Sequence, residues 1–480
     1  MPMNYEAVIG LEIHVELQTR SKIFCGCSTA FGDEPNTNCC PGCLGLPGSL
    51  PVLNRRAVEF AVMAALALNC RVQERSIFAR KNYFYPDLPK AYQISQDDFP
   101  LAWGGYLEVD FPEGSRRINL LRAHLEEEAG KLIHAGDSII SAAYSLVDYN
   151  RAGVPLLEIV TEPEIRSGRE ARLFLEELRT LLRYTGVSDV KMEEGSLRCD
   201  ANISLRPVGS SKLGVRTEVK NLNSFRAVEQ ALNYEAERQA RILDEGGEII
   251  QCTCHWDDSR KATAVMRLKE GAADYRYFPD PDLPPLTLER SAIEALRDKL
   301  PELPREKRQR LQERYGLNAE EAAIIAATRE MAAFFEQAAE DYSDHRNLVN
   351  WVQGDLIYQL RESGKEITQL SPVLLIELLE LLDGGEINRP VAKELLEEMV
   401  KSGAAPRKLV QQRGLGKIAD RGELAPLVEQ VIAENPAAAE NYRSGKKKAL
   451  AFLVGKVMAL TRGRADPQEL NRLFQEILKK

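Results

Sequence analysis

The run Val8-Ile9-Gly10-Leu11-Glu12-Ile13-His14-Val15-Glu16-Leu17 alternates acidic and imidazole side chains with aliphatic ones. On a strand, Glu12, His14 and Glu16 share one face, while Leu11, Ile13, Val15 and Leu17 share the other. The outer face of an antiparallel sheet alternates in the same way, so the pattern alone also fits a solvated surface. Histidine is scarce, with five in the chain, and Leu197-Arg198-Cys199-Asp200-Ala201-Asn202-Ile203-Ser204-Leu205 repeats the layout. If these two strands join their polar faces, Glu12, His14, Asp200 and Asn202 form an oxygen-rich cluster with one imidazole. Such a cluster suits Mg²⁺ bridging phosphate oxygens. His124-Leu125-Glu126-Glu127-Glu128 adds acidic density, readable either as a solvated turn or as further ligands. Glu158 lies inside the apolar run Leu156 to Val160, where an unpaired carboxylate is costly. A metal or an arginine such as Arg151 is expected beside it.

The cysteines point to a second site. Cys25-Gly26-Cys27 and Cys40-Pro41-Gly42-Cys43 flank a twelve-residue loop, 28 to 39. Two close thiol pairs around a short loop match a tetrahedral Cys₄ zinc site, in which Cys39 could stand in for Cys40. Four thiolates leave zinc no open position, so the metal would brace the loop rather than catalyse. A thiol redox role and unrelated cysteines are the alternatives. Cys252 and Cys254, just before His255, are too few for a second complete site, and Cys70 and Cys199 read as core.

The elements that must position these groups divide into two kinds. Up to about residue 293, short period-2 runs alternate with dense Gly/Pro turns and a few helical stretches, predicting an α+β body with a largely antiparallel sheet. Beyond Ser291 helical spacing takes over. Asn318-Ala319-Glu320-Glu321 predicts a capping box, and apolar helical runs follow through Leu348 to Leu360, Pro372 to Leu382, Pro390 to Val400, Leu424 to Glu434 and Lys447 to Leu460. The expected domains are 1–293, 294–404 and 405–480. At 480 residues, 44 % apolar and 28 % charged, the chain is long enough for several cores. Its longest apolar stretch, Val373 to Leu382, is broken by Glu377 and Glu380, so no membrane span is expected. The first residues lack a secretory pattern, which predicts a cytoplasmic protein with reduced thiols. The net charge of −9 is uneven: residues 401–480 carry 16 Lys+Arg against 8 Asp+Glu, leaving −17 on the rest. An acidic body with a basic tail suits a polyanionic partner such as tRNA, or a helical face that is simply basic. There is no P-loop, no G-x-G-x-x-G after a strand and no nucleophile elbow. A nucleic-acid-binding scaffold that performs no chemistry fits the tail and the thiol loop, but leaves the two acidic strand faces unexplained.

Seven strings together carry a family resemblance: Val8 to Leu17, Arg80-Lys81-Asn82-Tyr83-Phe84-Tyr85-Pro86-Asp87, Ala91 to Gln96, Leu146 to Glu158, Lys191 to Asn202, Glu218 to Phe225, and Asp274 to Pro279. From Tyr5 to Lys480 the chain resembles the B subunits of bacterial glutamyl-/aspartyl-tRNA amidotransferases. The resemblance implies a heterotrimer: an amidase-type A subunit releases ammonia from glutamine, and a small C subunit ties A to B. It implies that B activates the side-chain carboxylate of Glu-tRNA(Gln) or Asp-tRNA(Asn) with ATP and Mg²⁺ and then amidates it. The cognate synthetase is a candidate further partner. The implied architecture is a cradle domain followed by a helical domain and a helical tail. By resemblance, Glu12, His14, Glu158 and Asp200 are catalytic and, with Glu126 and Glu127, bind Mg²⁺. Lys81, Lys191, Arg198, Asn202 and Lys220 are candidate phosphate or carboxylate contacts, each also able to serve as an ordinary polar partner. The zinc ligands are Cys25, Cys27, Cys40 and Cys43. Lys446, Lys447, Lys448, Lys456, Arg462 and Arg464 are expected to meet the tRNA body.

Overall fold

The computed structural model describes residues 5–135, 143–268 and 275–478. Two compact units divide the chain, Met1–Pro304 and Arg305–Lys480. Asp274, Lys479 and Lys480 lie outside the described residues.

The first unit is built from β1 (Tyr5–Glu16), α1 (Arg55–Ala67), β2 (Ala79–Asn82), β3 (Tyr92–Ser95), β4 (Gly114–Glu127), β5 (Pro155–Thr161), α2 (Gly168–Thr185), β6 (Leu197–Pro207), β7 (Thr217–Lys220), α3 (Phe225–Asp244), β8 (Cys252–Asp257) and β9 (Ala262–Leu268). A ten-stranded sheet runs β9-β8-β7-β6-β1-β5-β4 and continues through two short strands, Ala102–Trp103 and Arg71–Val72, while the tenth, Tyr106–Phe111, pairs with β4 off this path. Its pairings are antiparallel except β7 with β8, whose parallel match uses α3 as the crossover. A separate three-stranded sheet holds β2 between β3 and Phe278–Pro279. The helices start where short polar side chains take up free amides: Asn54 caps α1, Ser167 caps α2 and Ser224 caps α3. Gly186, at φ 71°, ends α2 in the left-handed conformation that only glycine enters without strain.

One face of the sheet makes the core. Ile13, Val15, Leu157, Ile159, Ala201 and Ile203 are buried against Ala61 of α1, Phe174 and Leu178 of α2, and Val228 and Leu232 of α3. The opposite face, over the central strands, carries the polar side chains. The strand pattern fades near residue 293, yet the first unit extends further, because helix Arg290–Arg297 still buries Ile293 and Leu296 in its core.

The second unit is helical and has two apolar cores. One gathers Phe335, Trp351, Leu379 and Leu395; the other gathers Val428, Leu453, Val457 and Phe474. The capping box forms with both hydrogen bonds, Glu321 amide to Asn318 Oδ1 at 2.9 Å and Asn318 amide to Glu321 Oε2 at 2.8 Å. Asn388 Nδ2 donating to Arg462 O at 3.1 Å and the Lys417–Asp466 ion pair at 2.8 Å connect the two parts of this unit.

Candidate active site and thiolate loop

Strand register assembles the acidic residues. Pairing of β1 with β6 sets Glu12 opposite Asp200, His14 opposite Arg198 and Gly10 opposite Asn202. Pairing of β1 with β5 sets His14 opposite Glu158. Pairing of β5 with β4 then sets Glu158 opposite His124 and Leu156 opposite Glu126. Because side chains alternate, these polar groups rise from one face while their aliphatic neighbours go down into the core. They line an open cleft of about 660 Å³.

His14 Nε2 lies 3.4 Å from Glu126 Oε1 and 3.4 Å from Glu158 Oε2. His124 Nε2 is 3.5 Å from the same Glu158 oxygen. One ligand atom each from His14, Glu126 and Glu158 falls within 4.8 Å of the others, close enough to share a cation. Beside this trio, Asn202 Nδ2 donates to Glu12 Oε1 at 3.0 Å. The Lys220 ammonium pairs with Asp200 and stands 3.1 Å from Glu218 Oε1.

Burial and mutual repulsion shape the protonation. Burial disfavours a charged His14, but its hydrogen bond to Glu158, which accepts, and the charges of Glu126 and Glu158 prevail and lift it to about 9. Burial, aided by Glu158, lifts Glu126 to about 7. Burial would raise Glu158 too, but the two histidines hold it well below the ordinary carboxylate range. Burial, then the carboxylates of Glu158, Glu218 and Asp200, raise Glu12. His124, sealed in, is lowered to about 4 by burial and stays neutral. Carboxylates that raise one another's pKa hold negative charge that a divalent cation would relieve. Two carboxylates with an imidazole therefore fit a metal whose remaining positions are left to phosphate or water.

Several sequence expectations land elsewhere. Glu127 is turned to the other side of β4 from Glu126 by strand alternation, and Lys90 Nζ holds it at 2.5 and 2.7 Å. It does not reach the His14 trio. Lys191 is exposed and pairs with Glu194 at 2.8 Å, outside the cleft lining. Arg151 does not neutralise Glu158; it bridges Glu16 at 2.5 Å and Glu128 at 3.3 Å, where Arg198 also pairs with Glu128. Lys81 does line the cleft, its Nζ 5.0 Å over the ring of Tyr275. Two members of the site are not singled out by the sequence patterns: His124 and Glu218. His124 carries a usable signal, since it stands two residues before Glu126 and so shares its face.

Cys25, Cys27, Cys40 and Cys43 bring their Sγ atoms within 4.8 Å of one another, and Cys39 is not in the group. A buried lysine sits against them. Lys22 has no exposed surface, and its Nζ reaches Cys43 Sγ at 3.7 Å and Tyr149 O at 3.1 Å. Donation by the Cys25 thiol outweighs burial and, with the Cys40 amide and Lys22, lowers Cys43 to about 4. Four converging sulfurs with a buried countercharge fit a tetrathiolate metal site.

In the second unit, Lys448–Leu460 buries Leu453 and Val457 and leaves Lys446, Lys447, Lys448 and Lys456 exposed. Arg464 is committed internally, donating Nε to Thr461 O at 3.2 Å and a second nitrogen to Gly414 O. Arg462 is exposed, at φ 51°.

Two family models match the chain: a GatB/GatE catalytic domain over residues 7–294 and a GatB domain over 333–478. The chain is similar to the aspartyl/glutamyl-tRNA(Asn/Gln) amidotransferase subunits B of three bacteria. It is 54 % identical to that of Carboxydothermus hydrogenoformans over 99 % of both chains. It is 54 % identical to that of Moorella thermoacetica over 99 % of this chain and all of the other. It is 53 % identical to that of Caldanaerobacter subterraneus over the whole of both. With a catalytic-domain model spanning more than half of its length and relatives this similar end to end, the chain belongs to the GatB/GatE family of aspartyl/glutamyl-tRNA amidotransferase B subunits.

Proposed function

We propose that this chain uses ATP to phosphorylate the side-chain carboxylate of Glu-tRNA(Gln) or Asp-tRNA(Asn), and then amidates it with ammonia from a glutaminase partner subunit. The observation that carries this reading is the row Asp200–Glu12 and His14–Glu158–His124 across three strand pairings, with Glu126 beside it. A carboxylate is a poor electrophile because its leaving group would be oxide. In the first step its oxygen bonds to the γ-phosphorus and the bond to the ADP oxygen breaks. In the second, the ammonia lone pair forms the C–N bond, phosphate leaves, and the nitrogen gives up a proton.

Such a transfer needs positioning and charge neutralisation more than covalent help. Glu126, Glu158 and His14 would hold Mg²⁺, which supplies positive charge at the phosphate oxygens. Lys81 supplies a cation at the cleft, and Lys220 holds Asp200. Asn202 fixes Glu12. On this reading the A and C subunits assemble with the chain in the cytoplasm, zinc braces the Cys25–Cys43 loop, and residues 405–480 grip the tRNA body. The test is the reconstituted complex with γ-labelled ATP and misacylated tRNA. Label should enter an acyl phosphate and leave as phosphate when ammonia is added. A complex that binds tRNA but leaves ATP intact, with no amide formed from free ammonia, would be a scaffold and would overturn the reading.

A further inference from the structure

Phosphate and carboxylate chemistry occupies the acidic part of the cleft, but both of its proposed substrates also bring a flat, uncharged ring. ATP ends in adenine, and so does the 3′ terminus of a tRNA. A base needs an aromatic face or guanidinium plane to lie on. Among the described residues, Tyr83, Tyr275 and Tyr277 supply the phenol rings of the cleft lining.

These three form a connected group. Tyr83 and Tyr275 have ring centroids 6.1 Å apart at 64°, and Tyr275 and Tyr277 are 6.1 Å apart at 73°. Rings tilted this far do not cover one another, so their faces are left for a guest. Lys81 already lies over Tyr275, so the faces left for a guest are those of Tyr83 and Tyr277. Tyr277 is 37 % exposed, too open for a side chain whose purpose is core packing. Among the described residues none of the three hydroxyls has a hydrogen-bond partner.

The backbone fixes the group firmly. Tyr275 O accepts from the Asn82 amide at 3.0 Å, and Asn82 Nδ2 reaches Arg276 O at 2.9 Å. Arg276, between two of the tyrosines, has φ 45°, a strained value for a residue with a Cβ. Burial lifts Tyr83 and Tyr277 well above the usual phenol range, with the nearby charge of Glu126 contributing to both. The aromatic group lines the same cleft as His14, Glu126 and Glu158.

We infer that Tyr83 and Tyr277, steadied by Tyr275 and Lys81, are a stacking subsite for an adenine ring. This rests on the proposed function, which brings adenine to the cleft as ATP or as the tRNA end. The experiment uses the full complex with Tyr83→Leu and Tyr277→Leu, which keep apolar bulk without a π-face, and the Phe counterparts, which keep it. KM is measured separately for ATP and for misacylated tRNA, alongside fluorescence of a 2-aminopurine nucleoside triphosphate, whose emission stacking quenches. Loss of one stack should raise one KM by about 5- to 150-fold, with the Phe variants near wild type. A rise for ATP places its base there, and a rise for tRNA places the terminal adenosine there. Leu variants with wild-type thermal unfolding and both KM values unchanged would overturn the subsite while leaving the proposed function standing. A wild-type complex that quenches the probe but makes no amide would instead overturn the function and leave the stacking site standing.

Discussion

His14 and Glu158 face each other directly across the β1–β5 pair, with Nε2 and Oε2 3.4 Å apart. Each shifts the other's proton equilibrium, so the imidazole is raised to about 9 while the carboxyl is depressed. A divalent cation must displace the His14 proton to use its nitrogen. Its apparent affinity, measured without nucleotide, should therefore rise up to about tenfold per pH unit from 7 towards 9 and level off above. His14→Asn should flatten that dependence; an unchanged slope in the variant would show that His14 is not displaced.

The same shift has a stability counterpart of known sign. A histidine raised from 6.5 to about 9 stabilises the fold fully below pH 6.5, and that contribution is lost as pH rises through 9. The loss is at most about 3 kcal/mol. Glu126, raised to about 7, has the same sign, losing its contribution between pH 4.5 and 7. Urea unfolding without added Mg²⁺ should thus show falling stability from pH 6 to 9, and added Mg²⁺ should restore more of it at the alkaline end.

Asp200→Asn should lower phosphorylation and amidation on the order of 100-fold or more. Assembly with the partner subunits and glutamine hydrolysis should persist, because Asp200 stands on the cleft face with Lys220 rather than in the core. Normal Gln-tRNA formation by this variant would remove Asp200 from the site.

The chain should carry one zinc, lost in Cys40→Ser and kept in Cys39→Ser. Lys22→Met should speed zinc extraction by a chelator, since the buried amine touching Cys43 is the near countercharge of the thiolates. Elemental analysis gives the stoichiometry, and a Lys22→Met protein that holds zinc as tightly as wild type would dismiss the countercharge role.

Removing Lys447 and Lys448 together should weaken tRNA binding and lower the slope of log K against log salt by nearly one for each phosphate these lysines neutralise. Arg464→Ala should act differently: its hydrogen bonds to Gly414 and Thr461 disappear, so it should lower the melting temperature first. Equal salt slopes in the wild type and the double lysine variant would separate this basic surface from tRNA.

What sequence could foretell divides along the length scale of the interaction. The alternation in Tyr5–Glu16 and Leu197–Pro207 and the Asn318/Glu321 cap are local patterns, and each appears in the structure as its spacing requires. Pairing is not local. Nothing in the Pro155–Thr161 strand announces that Glu158 meets two histidines, since that follows from its register with β1 and β4. Adjacency in the chain groups Glu127 with Glu126, although on a strand adjacency places them on opposite faces. Proximity in sequence matches Arg151 to Glu158, yet the guanidinium is drawn to Glu16 and Glu128.

The placement of His14, Glu126, Glu158 and Asp200 within strands rather than loops bears on what lesions this gene can survive. A one-residue insertion or deletion that slips a strand sends its cleft residue to the buried face, and a slip of two moves it by about 7 Å along the strand. In a library of single-codon indels, those that shift β1, β4, β5 or β6 should therefore score as nulls with no partial-activity class. Indels in the turn that follows β6, residues 208 to 210, should pass in large numbers.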